Sequence, residues 1–185
     1  MTLLDAINTC LSTLGEARVT STTVRHPTVD LIRTTIAMKK TELLERGWWF
    51  NIAQATMYPS TSNEMEYPVK ALSVLGYDGE KYIPRGGMLF DLDNNTQYFT
   101  EPKSMQITYD MDFEDLPECA ANVVMQRANR AVYSGDLGMD ATVQNMQYNE
   151  QVSMATLETM HMRNQRHSTR KRHGWQRMRN ALKGN

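Results

Sequence analysis

The stretch that decides the fold is RGWWFNI, residues 46–52, which sets two of the chain's three Trp side by side directly after a glycine. Gly47 can adopt the left-handed conformation that ends a helix without a steric penalty. The aromatic residues at 48–50 are typical of a half-buried strand. The stretch therefore predicts a change from helix to strand. Because successive strand residues point to opposite faces, at least one ring should contact a second layer or a partner.

Before this stretch, apolar residues recur with the spacing of two helices. The first covers residues 2–14, with Thr2 and Asp5 placed to cap its start. The second covers residues 27–46 and begins with Pro27, which suits a first helical turn. Its predicted buried positions are Val29, Ile32, Ile36, Leu43 and Leu44.

After the stretch, the pattern changes to strands separated by turns. Asp78-Gly79 predicts a tight hairpin, and Arg85-Gly86-Gly87 predicts a second corner. A third corner at residues 93–95 precedes a predicted strand at 97–100. Alternation is clearest over residues 104–111, which predicts an antiparallel sheet with one face in water. Its two sets are Met105, Ile107, Tyr109 and Met111 on one face, and Ser104, Gln106, Thr108 and Asp110 on the other.

Helical spacing returns near Pro117, which suits the first turn of a third helix. The small packing residues of this helix are Ala120, Val123, Val124, Ala128 and Ala131. A break is predicted at residues 134–138, followed by a last helix from about residue 140 to about residue 162. The predicted fold class is α+β: a helical bundle with two N-terminal and two C-terminal helices, an inserted antiparallel β-rich region and a basic C-terminal tail.

The same pattern predicts four segments within one 185-residue domain that carries an insertion. They are the N-terminal helices of the bundle (1–47), the inserted β-rich region (48–112), the C-terminal helices of the bundle (113–162) and the basic tail (163–185). No run of 18 apolar residues occurs, so no membrane span is predicted. The N-terminus lacks a signal-peptide pattern. Cys10 and Cys119 have no paired spacing, which favours two buried free thiols in a reducing cytoplasm.

The net charge of −1 conceals a strong polarity along the chain. Residues 161–185 hold eight of the 20 Lys and Arg and none of the 21 Asp and Glu, so the other 160 residues carry a formal charge of −9. An acidic body with a basic end is typical of a protein that binds partners.

Three motifs occur in a characteristic order: residues 46–52, then Pro84-Arg85-Gly86-Gly87 with Asp91, then residues 112–119. Together they resemble the tail tubular protein A family, the head-to-tail adaptor (connector) proteins of short-tailed, podovirus-type bacteriophages, over roughly residues 1–160. The resemblance implies a non-enzymatic virion protein that forms a homo-oligomeric, dodecameric ring. The ring would lie between the portal protein and the tail nozzle protein, with DNA passing through its lumen. It would be assembled in the host cytoplasm.

The basic tail holds too few apolar residues to build a core, so we expect it to become ordered on a partner. Trp175 could anchor in an apolar pocket while arginines pair with acidic groups or phosphates. Under the resemblance, the partner is the portal's lower rim. The candidate portal-binding residues are Arg163, Arg166, Arg170, Lys171, Arg172, Trp175, Arg177 and Arg179. Two alternatives stay open: a tail that faces DNA in the lumen, and a solvated charge run.

The last predicted helix also has an unusual surface. Met160 and Met162 lie near its end, and we expect them at an interface, whereas Met139 and Met146 suit core filling equally well. The polar residues Gln144, Asn145, Gln147, Asn149 and Gln151 fit either subunit contacts or a solvated face.

The sequence predicts no catalytic, cofactor-binding or metal site. His161, His167 and His173 recur every six residues, which does not place them on one helical face. The carboxylates at residues 110–115 could serve glycoside hydrolysis, but their position between a strand and a helix favours caps, charges that complement the helix dipole and salt bridges between subunits. Two other functions therefore compete with the adaptor: a nucleic-acid-binding protein that uses the tail, and a carbohydrate-cleaving tail protein. An adaptor predicts neither affinity for free DNA nor turnover.

Overall fold

The computed structural model describes residues 1–77 and 79–165. Its fold is α+β, as predicted, with helices before and after an antiparallel sheet. In chain order the elements are α1 (Leu3–Thr13), α2 (Pro27–Leu44), β1 (Ile52–Met57), β2 (Ala71–Gly76), β3 (Lys81–Arg85), β4 (Met88–Asp91), β5 (Lys103–Tyr109), α3 (Glu118–Asp136) and α4 (Ala141–Asn164).

Both N-terminal helices begin as predicted. In a capping box, the Thr2 hydroxyl accepts the backbone N–H of Asp5 and the Asp5 carboxylate accepts the N–H of Thr2. The Thr2 hydroxyl, and after it the Thr2 N–H, lowers the pKa of Asp5. All five predicted core positions of α2 are buried. The helix ends at Leu44 rather than at Arg46.

The predicted strand at residues 48–50 is wrong. These residues lead into and form a turn, and β1 begins at Ile52. Gly47 ends the helical segment with φ +72°, as a left-handed glycine should. The N–H groups of Asn51 and Ile52 then both donate to the carbonyl of Trp48, at 3.1 and 3.2 Å. Because the turn uses these backbone groups, the strand can start only after it.

The five strands form one antiparallel sheet in the order β1-β5-β2-β3-β4. Gly86 and Gly87, with φ of 61° and 81°, form the two-residue turn between β3 and β4. The predicted strand at 97–100 does not form, and this segment takes part only in an isolated bridge in the described chain. The backbone of this segment contacts the loop after β1 instead, where the N–H of Phe99 donates to the carbonyl of Asn63.

Strand β5 confirms half of the predicted alternation. Met105 and Ile107 are buried in the core of the sheet, together with Met65, Val74 and Leu89. Thr108, however, is buried on the face predicted to be wet. A Cβ on Gly47 would lie 3.6 Å from the Thr108 hydroxyl, so the chain leaving α2 covers this end of the sheet.

Helix α3 lies at the centre of the helical layer and packs against α1, α2 and α4. Pro117 is its N-cap and not part of its first turn as predicted, so the helix begins at Glu118. The helix continues through Ser134 and Gly135, where a break was predicted, and the break falls at Gly138, whose φ is +82°. Of its predicted packing residues only Ala131 is half-buried, and the others are buried. Where the helices meet, α3 contributes small residues, with Ala120, Ala121 and Ala128 fully buried.

Helix α4 follows a short connection, and the Asp140 carboxylate caps it by accepting the N–H groups of Thr142 and Val143. No helix in the described ranges combines the length and apolarity needed to cross a bilayer.

Candidate assembly site

The aromatic run forms the junction where α2, the sheet and α4 meet. Trp48 is 2% exposed and belongs to the core of the helical layer. Its indole Nε1–H donates to the carbonyl of Leu43 at 2.7 Å, within the last turn of α2. This bond satisfies the only polar group of the buried indole. Trp48 therefore packs in the helical layer, but from a turn and not from the predicted strand.

Asn51 connects three parts of the junction through its buried side chain. Its Oδ1 accepts the N–H of Trp48 at 2.7 Å. Its Nδ2 donates to the carbonyl of Leu44 at 3.0 Å and to the carbonyl of Tyr109 at 2.9 Å. A single amide therefore links the end of α2, the turn and the end of β5.

The last turns of α4 close the junction through His161. The rings of Trp48 and His161 meet edge to face, with centroids 5.2 Å apart. The backbone N–H of Trp49 donates to His161 Nδ1 at 3.3 Å, so this nitrogen carries no proton when the bond forms. The amide of Gln165 lies 2.8 Å from the other ring nitrogen. The end of α4 is thus attached to the aromatic run.

Arg46 covers the outside of the junction. Its guanidinium lies 5.1 Å from the centre of the Trp48 ring, and its Nη2 lies 3.5 Å from Glu158 Oε1. Both charged side chains are about half exposed, so the ion pair contributes little stability by itself. Together with Met162, these groups line a cleft of about 310 Å³.

The structure places only one of the predicted portal-binding residues. Arg163 lies in the last turn of α4, exposed, two residues after His161. Outside the described residues lie Arg166, Arg170, Lys171, Arg172, Trp175, Arg177 and Arg179. The predicted interface residues Met160 and Met162 are both exposed at this end of α4. Of the two methionines suited to core filling, Met146 is buried and Met139 is 82% exposed.

The acidic segment 110–115 makes ion pairs within the chain. Asp110 lies 2.8 Å from the Lys40 ammonium, and Asp112 lies 3.1 Å from the Lys70 ammonium. Lys40 also donates to the carbonyl of Met111, so α2 is connected to the segment that follows β5. These ion pairs join parts of one chain, whereas the predicted salt bridges between subunits stay a prediction.

Neither cysteine is in a disulfide: Cys10 is buried and free, and Cys119 is half-buried and free. Burial raises the pKa of the Cys10 thiol to about 12. Among the described residues, no group of three or more His, Cys, Asp or Glu side chains is arranged to hold a metal ion. His167 and His173 lie outside them.

Comparisons with known proteins match the sequence over most of its length. The family model for tail tubular proteins aligns with residues 4–167. Tail tubular protein A of Klebsiella phage KP34 is 38% identical over 181 residues, which cover 96% of this chain and 96% of the relative. The chain belongs to the tail tubular protein family. This tail tubular protein is therefore a structural component of a phage tail.

The two matches differ at the C-terminus of this tail tubular protein. The family match ends at residue 167, before most of the basic residues. The alignment to the KP34 protein covers 96% of the chain and therefore extends well into residues 166–185. The basic segment thus belongs to the part that can be compared with that relative, although it lies beyond the family match.

Sequence reasoning missed two residues of this tail tubular protein's junction. His161 was considered only as a metal ligand, and its packing on Trp48 depends on a contact between residues more than 100 positions apart. Asn51 belongs to the aromatic stretch, but no periodicity marks a side chain that bonds to three separate segments. An asparagine that follows a glycine-terminated helix and precedes a strand is the local signal that could have indicated it.

Proposed function

We propose that this tail tubular protein is a head-to-tail adaptor of a short-tailed phage. In this proposal its copies form a ring, dodecameric by family resemblance, between the portal and the tail nozzle. DNA passes through the lumen without sequence-specific binding. The role is structural rather than enzymatic, and assembly takes place in the host cytoplasm. The family membership supports a tail location, and the features below support the adaptor role.

The main observation in support is the point from which the basic segment departs. Arg163 follows directly on the turn of α4 that His161 attaches to Trp48 and Trp49. The junction holds this end of α4 against both the helical layer and the chain entering the sheet. A basic segment that starts at such a fixed point can extend from a constant place on every copy. In a ring this arrangement presents a circle of basic segments to one partner, which we infer is the portal.

The charge distribution supports a lumen that carries DNA. The 160 residues before the basic end carry a formal charge of −9. An acidic or neutral wall repels phosphates and lets DNA slide, whereas a basic wall would retain it. In this proposal the acidic body surrounds the channel, and the basic segment, residues 163–185, docks on the portal.

Co-sedimentation with purified cognate portal rings tests this proposal. The full-length protein should sediment with portal, and the variant Arg170→Gln/Lys171→Gln/Arg172→Gln should lose most of this binding. The matched control is Arg18→Gln/Arg25→Gln/Lys81→Gln, which removes three exposed cations from the body. This control should bind portal like the unmodified protein. Trp175→Ala tests the predicted anchor, and a variant truncated after Met162 tests the whole tail.

A parallel lane with free duplex DNA separates the adaptor from the alternatives. If the protein binds portal only with its tail and does not bind free duplex DNA, the adaptor role is supported. Retention of DNA that falls steeply with added salt, without portal binding, would instead make the tail a nucleic-acid arm. Equal portal binding by the tail and body variants would show that the tail is only a solvated charge run. Release of sugar from host polysaccharide, lost in Asp112→Asn, would overturn the structural role.

A further inference from the structure

Two outward-facing helical surfaces of the bundle have no partner within the described chain. The first, the α2 stripe, lies opposite the buried face of α2 and comprises Leu31, Thr35, Met38, Glu42 and Glu45. Leu31 and Met38 are 54% and 57% exposed. The residues are spaced four, three, four and three positions apart, which is the spacing of a seam between two packed helices.

The second surface, the α4 stripe, comprises Tyr148, Val152, Ala155, Thr159 and Met162. It has the same spacing of four, three, four and three, and it also lies opposite the buried face of its helix. Tyr148, Val152 and Met162 are 67%, 48% and 56% exposed. The stripe contains no charged residue, although an outward helical face is normally charged in a soluble protein.

The acidic residues of α4 make their ion pairs away from its outer face. Over residues 141–160 the helix has two acidic residues, and both make ion pairs inside the chain. Glu150 pairs with Arg127 and Arg130, and Glu158 pairs with Arg46. The acidic residues of this part of α4 are thus paired within the chain, and none lies on the α4 stripe.

The two stripes lie on different sides of the bundle but at the same level. Both helices pack against α3, so their outer faces point away from it in different directions. Their C-terminal ends meet at the junction, where Arg46 reaches Glu158 and Trp49 reaches His161. Lys40 near the end of α2 contacts the segment before α3, and Asp140 at the start of α4 contacts the end of α3, so both helices run opposite to α3 and in the same direction. A copy rotated about an axis along the helices would bring its α2 stripe beside the α4 stripe of its neighbour.

This arrangement also pairs two charges that are otherwise isolated. Glu45 is the last residue of the α2 stripe, and Arg163 follows the last residue of the α4 stripe. Within the described chain neither makes an ion pair, and both are exposed. With Met38 level with Val152, Glu45 is level with Thr159, about 6 Å along the helix axis before Arg163, a distance that the two long side chains can span.

We propose that the α2 stripe of one copy packs against the α4 stripe of the next copy, and that this is the repeating contact of the ring. The contact is heterologous, because two different surfaces meet, and heterologous contacts generate closed rings when the rotation closes. This proposed contact rests on the proposed ring function and adds which residues of neighbouring copies touch.

Disulfide cross-linking tests the contact directly in the full-length protein. All variants carry Cys119→Ala, whereas buried Cys10 stays protonated and unreactive. Met38→Cys/Val152→Cys, oxidised alone or on cognate portal rings, should give a ladder of dimers, trimers and higher multimers. A mixture of the Met38→Cys and Val152→Cys single variants should stop at dimers, and each single variant alone should give none. The matched control Met38→Cys/Asn149→Cys moves one thiol off the stripe and should cross-link at least tenfold less.

The outcomes separate this contact from the ring function itself. A ladder in either arm supports the contact. Its absence in both arms overturns the contact, and the adaptor role then stands if the protein still sediments with portal. Dimers from one single variant alone would mean that two identical surfaces meet, which also overturns the contact. A ladder from a protein that does not bind portal would support the contact and count against the adaptor role.

Discussion

At the scale of single residues, Asn51 explains why the aromatic stretch is a turn. Its amide accepts the N–H of Trp48 and donates to the carbonyls of Leu44 and Tyr109. The hydrogen bonds of one side chain thereby replace a local β-ladder. Local sequence predicted the end of α2 near Gly47 correctly, but it could not reveal this bonding pattern, because Tyr109 lies 58 positions away.

Replacing Asn51 tests its role. Asn51→Ala leaves buried donors and acceptors unpaired, so the free energy of unfolding should fall by about 3 kcal/mol. Urea unfolding followed by circular dichroism measures this change. The exposed α4 residue Asn149, changed to Ala, is the control and should alter the free energy by no more than about 0.5 kcal/mol. Equal effects of the two substitutions would contradict the assignment.

Trp48 and Trp49 are adjacent but should respond differently to truncation. Trp48 is buried in the helical core, so Trp48→Ala should lower the free energy of unfolding by about 3–5 kcal/mol. Trp49 is half-buried, and Trp49→Ala should cost clearly less. Chemical denaturation of both variants gives the comparison. A larger loss for Trp49 would show that the rings have been assigned to the wrong environments.

At the scale of elements, helices were predicted more accurately than strands. The spacing of apolar residues in α2 depends on neighbours within one or two turns, and it gave the correct core positions. The predicted strand at 97–100 was wrong because this segment contacts the distant loop after β1, where Phe99 bonds to Asn63, and not a neighbouring strand. The prediction that Thr108 faces water was wrong because the chain leaving α2 at Gly47 covers it. Burial that depends on the packing of distant elements is not encoded in local alternation.

Two glycines should respond oppositely to the same substitution. Gly47 has φ +72°, and a Cβ there would lie 3.2 Å from Ile52 Cδ1, so Gly47→Ala should destabilise the protein by about 1–2 kcal/mol. Gly135 lies inside α3 with open space around it, so Gly135→Ala should stabilise by about 0.5–1 kcal/mol. The midpoint temperature of thermal unfolding should therefore fall for Gly47→Ala and rise for Gly135→Ala. A shift in the same direction would argue against a left-handed Gly47.

The link between the β2–β3 hairpin and β5 should depend on pH. The Tyr82 hydroxyl, followed by Lys103, lowers the pKa of Glu80. Because the pKa is lower in the folded state, the stabilisation is complete above the unfolded-state pKa of 4.5 and is lost as pH falls through the lowered value. Glu80→Gln should thus cost about 1 kcal/mol at pH 7 and almost nothing at pH 2–3. A cost that does not change with pH would contradict this.

At the scale of the whole molecule, the family could be recognised from three short motifs, and the order of helices and sheet followed from patterning. The contacts of the candidate site could not be predicted, because His161 and Trp49 are brought together only by the folded bundle. The role of the basic residues from Arg166 onward stays a prediction, since these residues lie outside the described chain. The division of the chain into four segments likewise stays a prediction.

Removal of residues 163–185 should leave the fold intact. These residues hold eight basic and no acidic side chains, and too few apolar ones to form a core. A variant truncated after Met162 should therefore unfold with a free energy within about 1 kcal/mol of the full chain. It should also elute later from an anion exchanger, because its formal charge falls from −1 to −9. A large loss of stability would show that the segment packs on the body.

The alanines of α3 have a consequence for curvature. Ala120, Ala121 and Ala128 allow the neighbouring helices to approach α3 closely, and they thereby help to set the angle between the outer faces of α2 and α4. If those faces join successive copies, that angle sets the rotation from one copy to the next. In a twelve-membered ring this rotation is about 30°. The copy number would then be determined inside each subunit, by the diameter of one helix, rather than at the surfaces where subunits meet.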